Sequence, residues 1–387
     1  MTTIEKSFYR IVLVVAAMVP VAASAQRVLA DGVSNNFTQT NLVSDIPGLA
    51  KTTDPDLSNP WGVSFGPTSP FWVSDNHTGL ATLYNGAGDK LGLVVSVPPP
   101  GGGASPSAPT GQVFNSTASF DHSHFIFATE DGTISAWTSG TSAVLMVDNS
   151  GSGAVYKGLA IGTNGGNPLL YATNFNSGNI DVFDRNFSPT SVPGGFVDPN
   201  LPAGYAPFNI ENINGKLYVT YAQQNAAKHD DVAGPGHGFV DVFDTQGVLQ
   251  MRLISNGSLN SPWGMAIAPV GFGSFGNDLL VGNFGDGTIN VFDPLTGTLI
   301  SQLDSANGMA IVNLGLWDLT FGNGGNGGST SDLYFTAGIP GDGQVEDHGL
   351  FGSIAPTPTP EPGTLTLIAS GLFALIAYRR RRTNSIA

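Results

Sequence analysis

Residues 261–303 read SPWGMAIAPVGFGSFGNDLLVGNFGDGTINVFDPLTGTLISQL, and this stretch decides the fold. It contains four short apolar segments, which we interpret as strands over residues 263–268, 278–282, 288–292 and 298–303. Asp286-Gly287, between the second and third segments, is typical of a tight hairpin turn because glycine permits positive φ angles. A four-stranded antiparallel unit with two apolar faces cannot bury both of them alone, so the pattern predicts a copy on each side.

The rest of the chain contains such copies. Asn59-Pro60-Trp61-Gly62 repeats Ser261-Pro262-Trp263-Gly264, and Leu316-Trp317-Asp318 is a looser third version. The second and third strands recur around a glycine-containing turn in segments that start at Phe71, Phe125, Leu169, Leu217, Leu279 and Leu333. About six units with a period of roughly 45 to 60 residues are typical of propeller blades. We therefore predict an all-β, six-bladed propeller over residues 26–354.

The two ends of this domain predict how the ring closes. Residues 33–46 hold a candidate strand before the first complete blade, whereas no clear fourth strand follows residues 349–354 in the last blade. We predict that the N-terminal strand completes the last blade; the alternative is a lead-in segment without a partner. Closure removes two open sheet edges, which are sites of aggregation. Because a closed propeller is self-sufficient, we expect a monomer.

Composition and charge exclude some classes of partner. The 387 residues include 52 glycines and no cysteine, and 11% are charged, which suits short strands, tight turns and a fold without disulfides. Without Lys6, Arg10 and the four terminal arginines, and without Glu5, the 14 basic and 29 acidic residues become 8 and 28 over residues 26–361, a net charge of −20. Phosphate binding requires a basic surface, so nucleic acid is excluded as a partner.

Residues 1–25 have the organisation of a secretory signal peptide. Lys6 and Arg10 supply the positive start, residues 11–23 are apolar, and Ala23-Ser24-Ala25 has the small residues of a cleavage site. We expect cleavage after Ala25 and export of the remaining chain. The alternative, an N-terminal membrane anchor, fits less well because the apolar run is short and contains Pro20.

The C-terminus has three consecutive parts. A Pro/Thr linker over residues 355–363 contains Pro360-Glu361-Pro362, and residues 364–387 combine an apolar stretch with Arg379, Arg380, Arg381 and Arg382. The apolar residues 364–378 are fewer than the ~20 of an ordinary membrane helix, although arginines that reach the lipid headgroups extend the span. The arginine cluster is expected to stay in the cytoplasm. The tail thus predicts a helix in the inner membrane, with the propeller outside.

This tail closely resembles the PEP-CTERM sorting signal of Gram-negative bacteria, which has a Pro-Glu-Pro box, a hydrophobic helix and an arginine cluster in this order. The resemblance implies recognition by an exosortase-type sorting enzyme, cleavage near Pro360-Glu361-Pro362, and transfer to the cell envelope, outer surface or extracellular matrix. In that family the signal accompanies extracellular polysaccharide and biofilm production. An ordinary tail anchor with an incidental Pro-Glu-Pro is the alternative.

The body also resembles a known group of proteins. Asn59–Gly62 and Ser74–Asn76 are similar to motifs of an uncharacterised bacterial propeller-repeat family of the NHL and SMP-30 type. This resemblance covers most of residues 37–353 and implies no known activity.

Propeller topology predicts where a ligand would bind. The turn between strands two and three of a blade opens on the same face as the start of strand one, so polar turn residues crowd one end of the central channel. The candidates for a ligand or metal face are Asp75, His77, Asn174, Glu211, Asn283 and Asp318. Their carboxylates and amides suit a hard cation such as Ca²⁺, or sugar hydroxyls. The same residue types are also common turn formers, which is the structural alternative.

Two more features belong to the same predicted face. Residues 222–238 form the longest insertion and carry Lys228, His229, Asp230, Asp231 and His237. Trp61, Trp263 and Trp317 begin inner strands, where they either pack in the channel wall or form an aromatic platform for a sugar.

Two hypotheses of function follow from these features. The first is a non-catalytic binding or matrix protein that engages extracellular polysaccharide, since no catalytic motif is present. The second is a Ca²⁺-dependent lactonase-like or hydrolase-like propeller enzyme, which rests on fold analogy. No cofactor is certain from the sequence, and Ca²⁺ is the candidate metal. The enzyme hypothesis requires three or four of Asp75, Asn174, Glu211, Asn283 and Asp318 to converge within metal-ligand distance.

Overall fold

The computed structural model describes residues 36–103 and 106–357, which form six sheets, each built around four antiparallel strands. In each blade the strands follow one another from the channel outward, and the first strands contact each other around the axis. The face on which the first strands begin is called the front face here, and the face on which they end is called the rear face. The six-bladed propeller predicted from the repeats is confirmed.

The blades are bounded as follows. Blade 1 comprises Pro60–Ser64, Phe71–Asp75, Leu80–Tyr84 and Lys90–Ser96; blade 2 comprises Pro109–Phe114, Phe125–Thr129, Thr133–Trp137 and Val144–Asp148. Blade 3 comprises Tyr156–Asn164, Asn167–Asn174, Asn179–Phe183 and Pro189–Thr190; blade 4 comprises Tyr205–Ile213, Lys216–Gln223, Phe239–Phe243 and Leu249–Ser255. Blade 5 comprises Pro262–Ile267, Leu279–Asn283, Ile289–Phe292 and Leu299–Gln302; blade 6 comprises Leu316–Phe321, Leu333–Ala337, Leu350–Pro356 and Asn36–Ser44.

The N-terminal strand closes the ring, as predicted. Asn36–Ser44 pairs antiparallel with Leu350–Pro356, so that Phe37 lies opposite Pro356. Phe37 is buried, and its ring centroid lies 4.8 Å from that of Phe272 in blade 5. Asn36–Ser44 has two short parallel partners, Thr52–Thr53 and Asp304–Ser305, which cover parts of its outer edge. Closure therefore combines a full antiparallel ladder with packing against the neighbouring blade.

The tight turns follow the chemistry of their residues. Val-Phe-Asp at the end of the third strand recurs in blades 3, 4 and 5, and the aspartates are Asp184, Asp244 and Asp293. In each case the side-chain Oδ1 accepts hydrogen bonds from backbone N–H groups two to four residues later, which holds the turn to the fourth strand. These turns lie on the rear face.

The inner strands pack so closely near the middle of the channel that they block it. This leaves a separate mouth at the front face and at the rear face. The residues at this level are Gly62, Gly111, Gly158, Gly264 and Asp318, each the third residue of its strand, and Asn209, the fifth residue of Tyr205–Ile213. A Cβ atom on Gly111 would lie 2.5 Å from the backbone nitrogen of Leu159, and one on Gly264 would lie 2.4 Å from the carbonyl oxygen of Trp317. Glycine is therefore required there, and the axis is filled at this level.

The predicted export segments lie outside the described residues. The signal peptide with Ala23 and Ala25, and the tail that contains Pro360 to Arg382, have no structural description here. Within residues 36–103 and 106–357, no helix is long and apolar enough to cross a membrane. The last strand continues to Pro356, so the described chain remains folded to within a few residues of Pro360.

Candidate functional site

The front mouth has a floor made by the residue directly before the blocked level in each inner strand, and four of these six residues are aromatic. These residues are Trp61, Thr110, Lys157, Phe208, Trp263 and Trp317. The rings of Trp61 and Trp317 stack with centroids 3.4 Å apart, and Trp263 meets Trp61 edge-on at 6.1 Å. Each of the three tryptophans is 1% exposed, so none presents a free ring face to a sugar. The channel-wall interpretation of these tryptophans is confirmed.

Lys157 places a buried positive charge in this floor. Its residue is 2% exposed, and its Nζ lies 5.0 Å from the ring centroid of Trp61. The ammonium forms an ion pair with Glu130 Oε1 and lies 3.9 Å from Asp230 Oδ1. A buried ammonium is stable only when it is paired and hydrogen-bonded. Lys157 of blade 3 therefore holds acidic groups of blades 2 and 4 around one cation.

Asparagines connect the acidic groups across the mouth. Asn76 Nδ2 donates to Glu130 Oε2 at 2.9 Å, and Asn59 Nδ2 donates to Glu346 Oε1 at 3.1 Å. Asn59 Oδ1 in turn accepts a hydrogen bond from Trp317 Nε1 at 3.1 Å. Burial, with a smaller effect from the charge of Glu130, raises the pKa of Glu346 to about 7. The rim is thus a connected hydrogen-bond network in which Glu346 changes its protonation near neutral pH.

The insertion in blade 4 contributes a half-exposed pair to the same rim. His229 Nδ1 lies 2.7 Å from Asp230 Oδ1, and the two side chains are 46% and 62% exposed. Their hydrogen bond raises the pKa of His229 and lowers that of Asp230. His77, which is exposed, also reaches this mouth, since its Nε2 lies 3.4 Å from Asn59 Nδ2. These side chains are accessible to a ligand.

One metal-compatible group occurs in the described part of the chain. Glu130, His229 and Asp230 each offer a ligand atom, and these atoms lie within 4.8 Å of one another. Lys157 already pairs with Glu130 and stands beside Asp230, so a divalent cation would meet a positive charge. Two like unit charges 4 Å apart repel by about 4 kcal/mol near a protein surface. The native mouth therefore disfavours a metal ion.

The sequence-derived candidates are divided between the two ends of the channel and the blade interiors. Asp75 accepts from Thr82 Oγ1 at 2.7 Å, and Asn174 Nδ2 donates to Asp181 at 3.0 Å, each within its own blade. Asn283 Nδ2 donates to the carbonyl oxygen of Ser258 at 2.8 Å. The candidates His77, Glu211 and Asp318 lie at the mouths, His77 at the front and the two carboxyl groups towards the rear. The structure thus brings Glu211 and Asp318 near each other but does not assemble all six residues.

The rear mouth contains a cavity of about 530 Å³ between the ends of inner strands. Glu211 lines this cavity, and the charge of Asp318 acts on it directly. Burial raises the pKa of Asp318 to about 7, and burial together with Asp318 raises the pKa of Glu211 well above its usual value. The sequence pattern could have indicated this pair, because Asp318 and Asn209 stand where the other four inner strands have glycine.

Sequence reasoning missed Lys157 and its partners. Tyr156-Lys157-Gly158 occupies the position of Asn-Pro-Trp-Gly, but only the glycine is shared. Glu130 and Glu346 lie in turns of different lengths, so no spacing in the sequence places them side by side. The available signal was a lysine directly before the inner-strand glycine, in a domain with few cations.

Comparisons with known proteins identify the tail and relatives of the body. Residues 358–382 match the PEP-CTERM protein-sorting motif. This motif indicates an exported protein that passes the membrane with a sorting tag, and it implies processing by an exosortase-type system.

Most of the chain has relatives among viral proteins. It is 32% identical over 332 residues to Uncharacterized protein R648, and 33% identical over 332 residues to Uncharacterized protein L690, both of Acanthamoeba polyphaga mimivirus. Each alignment covers 81% of this chain, and 78% and 84% of the respective viral proteins. A solved structure of a glucose dehydrogenase superposes with a TM-score of 0.51 at 11% identity, covering 82% of this chain and 98% of that one. At that identity the superposition shows the fold alone.

Proposed function

The chain belongs to the family of these two mimivirus proteins, and on that premise we propose that it is an exported, non-catalytic binding protein. In this proposal the propeller is sorted to the outer surface or extracellular matrix, and its front mouth engages the polysaccharide of a biofilm. The sorting enzyme is of the exosortase type, and the protein acts as a monomer.

The observation that carries the proposal is the polar rim built around Lys157. Glu130, Asp230 and His229 surround this one ammonium, and Asn76 fixes Glu130 from the neighbouring blade. Sugar hydroxyl groups both donate and accept hydrogen bonds, so a rim of fixed carboxylates, amides and imidazoles matches them. Groups held in place before binding lose less entropy when a ligand arrives.

The position of the tail supports the choice of the front mouth. The described chain ends at Thr357, whose N–H donates to the carbonyl oxygen of Asn36 at 2.8 Å, on the rear face of blade 6. Pro360 follows three residues later. A tail inserted in the membrane would therefore hold the rear face towards the bilayer. The front mouth then points away from the bilayer, where a ligand can reach it.

Net charge restricts the class of polysaccharide. Because residues 26–361 carry a net charge of −20, the propeller repels anionic polymers at neutral pH and low ionic strength. We therefore propose a neutral, hydroxyl-rich polysaccharide as the ligand.

Retention on polysaccharide from the producing cells tests this proposal. The protein as exported by its producer is applied to immobilised neutral polysaccharide, and the double variant His229→Ala/Asp230→Asn is compared with it. We expect the variant to lose about 1.4 kcal/mol or more of binding, a factor of about ten. His124→Ala, an exposed histidine on the rear face, is the matched control and should bind normally. The proposal is contradicted if all three proteins are retained equally or if none of them is retained.

The Ca²⁺-dependent hydrolase or lactonase remains a second candidate because Glu130, His229 and Asp230 could together contact an ion. A calcium titration of thermal unfolding separates the two candidates, since a ligand raises the midpoint only by binding the folded state more tightly. We expect no shift in the native protein, because Lys157 competes with the ion. A rise in the midpoint at micromolar calcium, together with lactone hydrolysis, would favour the enzyme.

A further inference from the structure

The rear cavity is a separate site from the front mouth. Its volume of about 530 Å³ is in the range of small-molecule sites, and its walls include Phe65, Phe114 and Ile161. Its polar lining includes Ser64, Gln112 and Glu211, which come from three different blades. A lining that combines aromatic rings with convergent polar groups suits an organic ligand that carries a polar group.

Two polar groups in this cavity lack a partner within the described chain. Gln112 is 6% exposed, and its Nε2 donates to the carbonyl oxygens of Gly62 and Trp72 at 2.6 and 2.7 Å. These bonds fix the amide, yet its Oε1 accepts no hydrogen bond from the described residues, and the buried Oγ of Ser64 has no partner there either. A buried acceptor without a donor destabilises the fold. The cavity therefore matches a ligand that donates hydrogen bonds.

Glu211 in the cavity lining and Asp318 beside it have no counter-cation from the described part of the chain. Asp318 is 5% exposed, and its Oδ1 and Oδ2 accept from the backbone N–H groups of Leu319 and Val63 at 2.8 and 2.6 Å. No lysine or arginine in the described residues pairs with Asp318 or Glu211. At the front mouth, by contrast, Lys157 neutralises Glu130. A ligand can therefore supply the positive charge that the described chain does not provide at the rear cavity.

We propose that the rear cavity binds a small organic cation that carries a primary ammonium group on an aromatic or apolar body. An ammonium has three N–H donors, which correspond to the Glu211 carboxylate, Gln112 Oε1 and Ser64 Oγ. The body packs against Phe65 and Phe114, where an aromatic ring also favours a nearby cation. Ca²⁺ fits less well, because it takes six to eight oxygen ligands and Glu211 is the one carboxylate in the cavity lining. The net charge of −20 over residues 26–361 draws cations to the protein.

Binding should release protons. Glu211 is the one titratable residue in the cavity lining, and Asp318 is the carboxyl group that faces it. Since burial raises the pKa of both groups, the pair retains protons near neutral pH, and an arriving ammonium displaces them. Affinity should therefore increase from acidic to neutral pH.

Isothermal titration calorimetry with 2-phenylethylammonium tests the proposal on the protein as exported. We expect one-to-one binding, a heat that depends on the ionisation enthalpy of the buffer, and much weaker binding of the uncharged 2-phenylethanol. Glu211→Gln, which keeps the shape of the side chain, should weaken binding about tenfold or more, equal to about 1.4 kcal/mol. Phe114→Leu, which removes a ring but keeps an apolar wall, should also weaken it.

Controls separate this site from the front mouth and from a loss of folding. Asp89→Asn removes an exposed carboxylate outside the cavity, and it should bind the amine normally. The front-mouth variant His229→Ala/Asp230→Asn should also bind it normally, and each variant's unfolding midpoint reports its folding. Absence of binding, equal binding of the neutral alcohol, calcium bound in competition with the amine, or full affinity in Glu211→Gln would each overturn the proposal.

Discussion

Replacing Lys157 by methionine tests whether one buried cation organises the front mouth. Methionine preserves most of the apolar stem, but Glu130 then faces Glu346 and Asp230 without a positive charge. Removal of one partner of a buried ion pair costs about 3–5 kcal/mol. We expect the lower end, about 3 kcal/mol, because Asn76 still donates to Glu130. For roughly 320 ordered residues this corresponds to a decrease of about 4–5 °C in the unfolding midpoint.

Thermal unfolding of a double-mutant cycle is the assay. Lys157→Met/Glu130→Gln should recover more than half of the loss, since the unpaired charge is then also gone. Lys51→Met is the matched control, because Lys51 and Asp89 form a surface pair with 51% and 59% exposure. Such exposed pairs contribute about 0–1 kcal/mol, so this midpoint should scarcely change.

The same variant should gain a response to calcium. Without Lys157, the carboxylates of Glu130 and Asp230 and the imidazole of His229 are free to surround an ion. Millimolar calcium should therefore raise the midpoint of Lys157→Met and leave the native protein unchanged. If Lys157→Met unfolds at the same temperature as Lys51→Met and its midpoint does not change with calcium, the central role assigned to Lys157 is wrong.

Three more predictions concern the ring and its protonation. Gly111→Ala should destabilise the protein by about 3 kcal/mol, because its Cβ would lie 2.5 Å from the backbone nitrogen of Leu159. Gly92→Ala is the control, since a Cβ there would have no atom within 4 Å, and its stability in denaturant unfolding should be nearly unchanged. Phe37→Ala should cost about 4 kcal/mol through loss of the closing contact, and an unchanged urea midpoint would argue against that closure. Glu346 has a folded pKa raised to about 7, so its stabilising contribution is complete below its unfolded pKa of about 4.3 and is lost as pH rises through about 7. The midpoint of the native protein should therefore decrease between about pH 5 and pH 8, and less so in Glu346→Gln; parallel profiles would contradict this.

The fold was largely predictable because its determinants are local. Each blade contains apolar strands with glycine-containing turns, and such a repeat needs neighbours to bury its faces, so the ring follows from residues 261–303 and their copies. The boundaries agree closely, since the segment predicted as residues 278–282 is Leu279–Asn283 in the structure. Closure by the N-terminal strand followed from a candidate strand before the first blade and the lack of a fourth strand in the last blade.

The site was less predictable because it depends on contacts between blades. Lys157 and Glu130 belong to different repeats, and nothing in the sequence indicates how close two turns come across the channel. Two features determine where a candidate site residue lies. They are its position along an inner strand and its hydrogen bonds within its own blade. Glu211 lies near the end of its strand and so reaches the rear mouth, whereas Asp75 ends a second strand and bonds to Thr82. The six candidate residues therefore lie at different levels along the channel axis and do not form one site.

Ring closure also has a consequence for the order of events in export. The hydroxyl oxygens of Thr38 and Thr357, 319 residues apart in sequence, lie 3.0 Å from each other. A chain that crosses the membrane from its N-terminus presents its closing strand first and the partner of that strand almost last. Contacts over such a separation form slowly, and until then both sheet edges stay open to other chains. A tail retained in the membrane keeps the late strand of each molecule apart from those of its neighbours, so tethering would favour closure within one chain over exchange of strands between two.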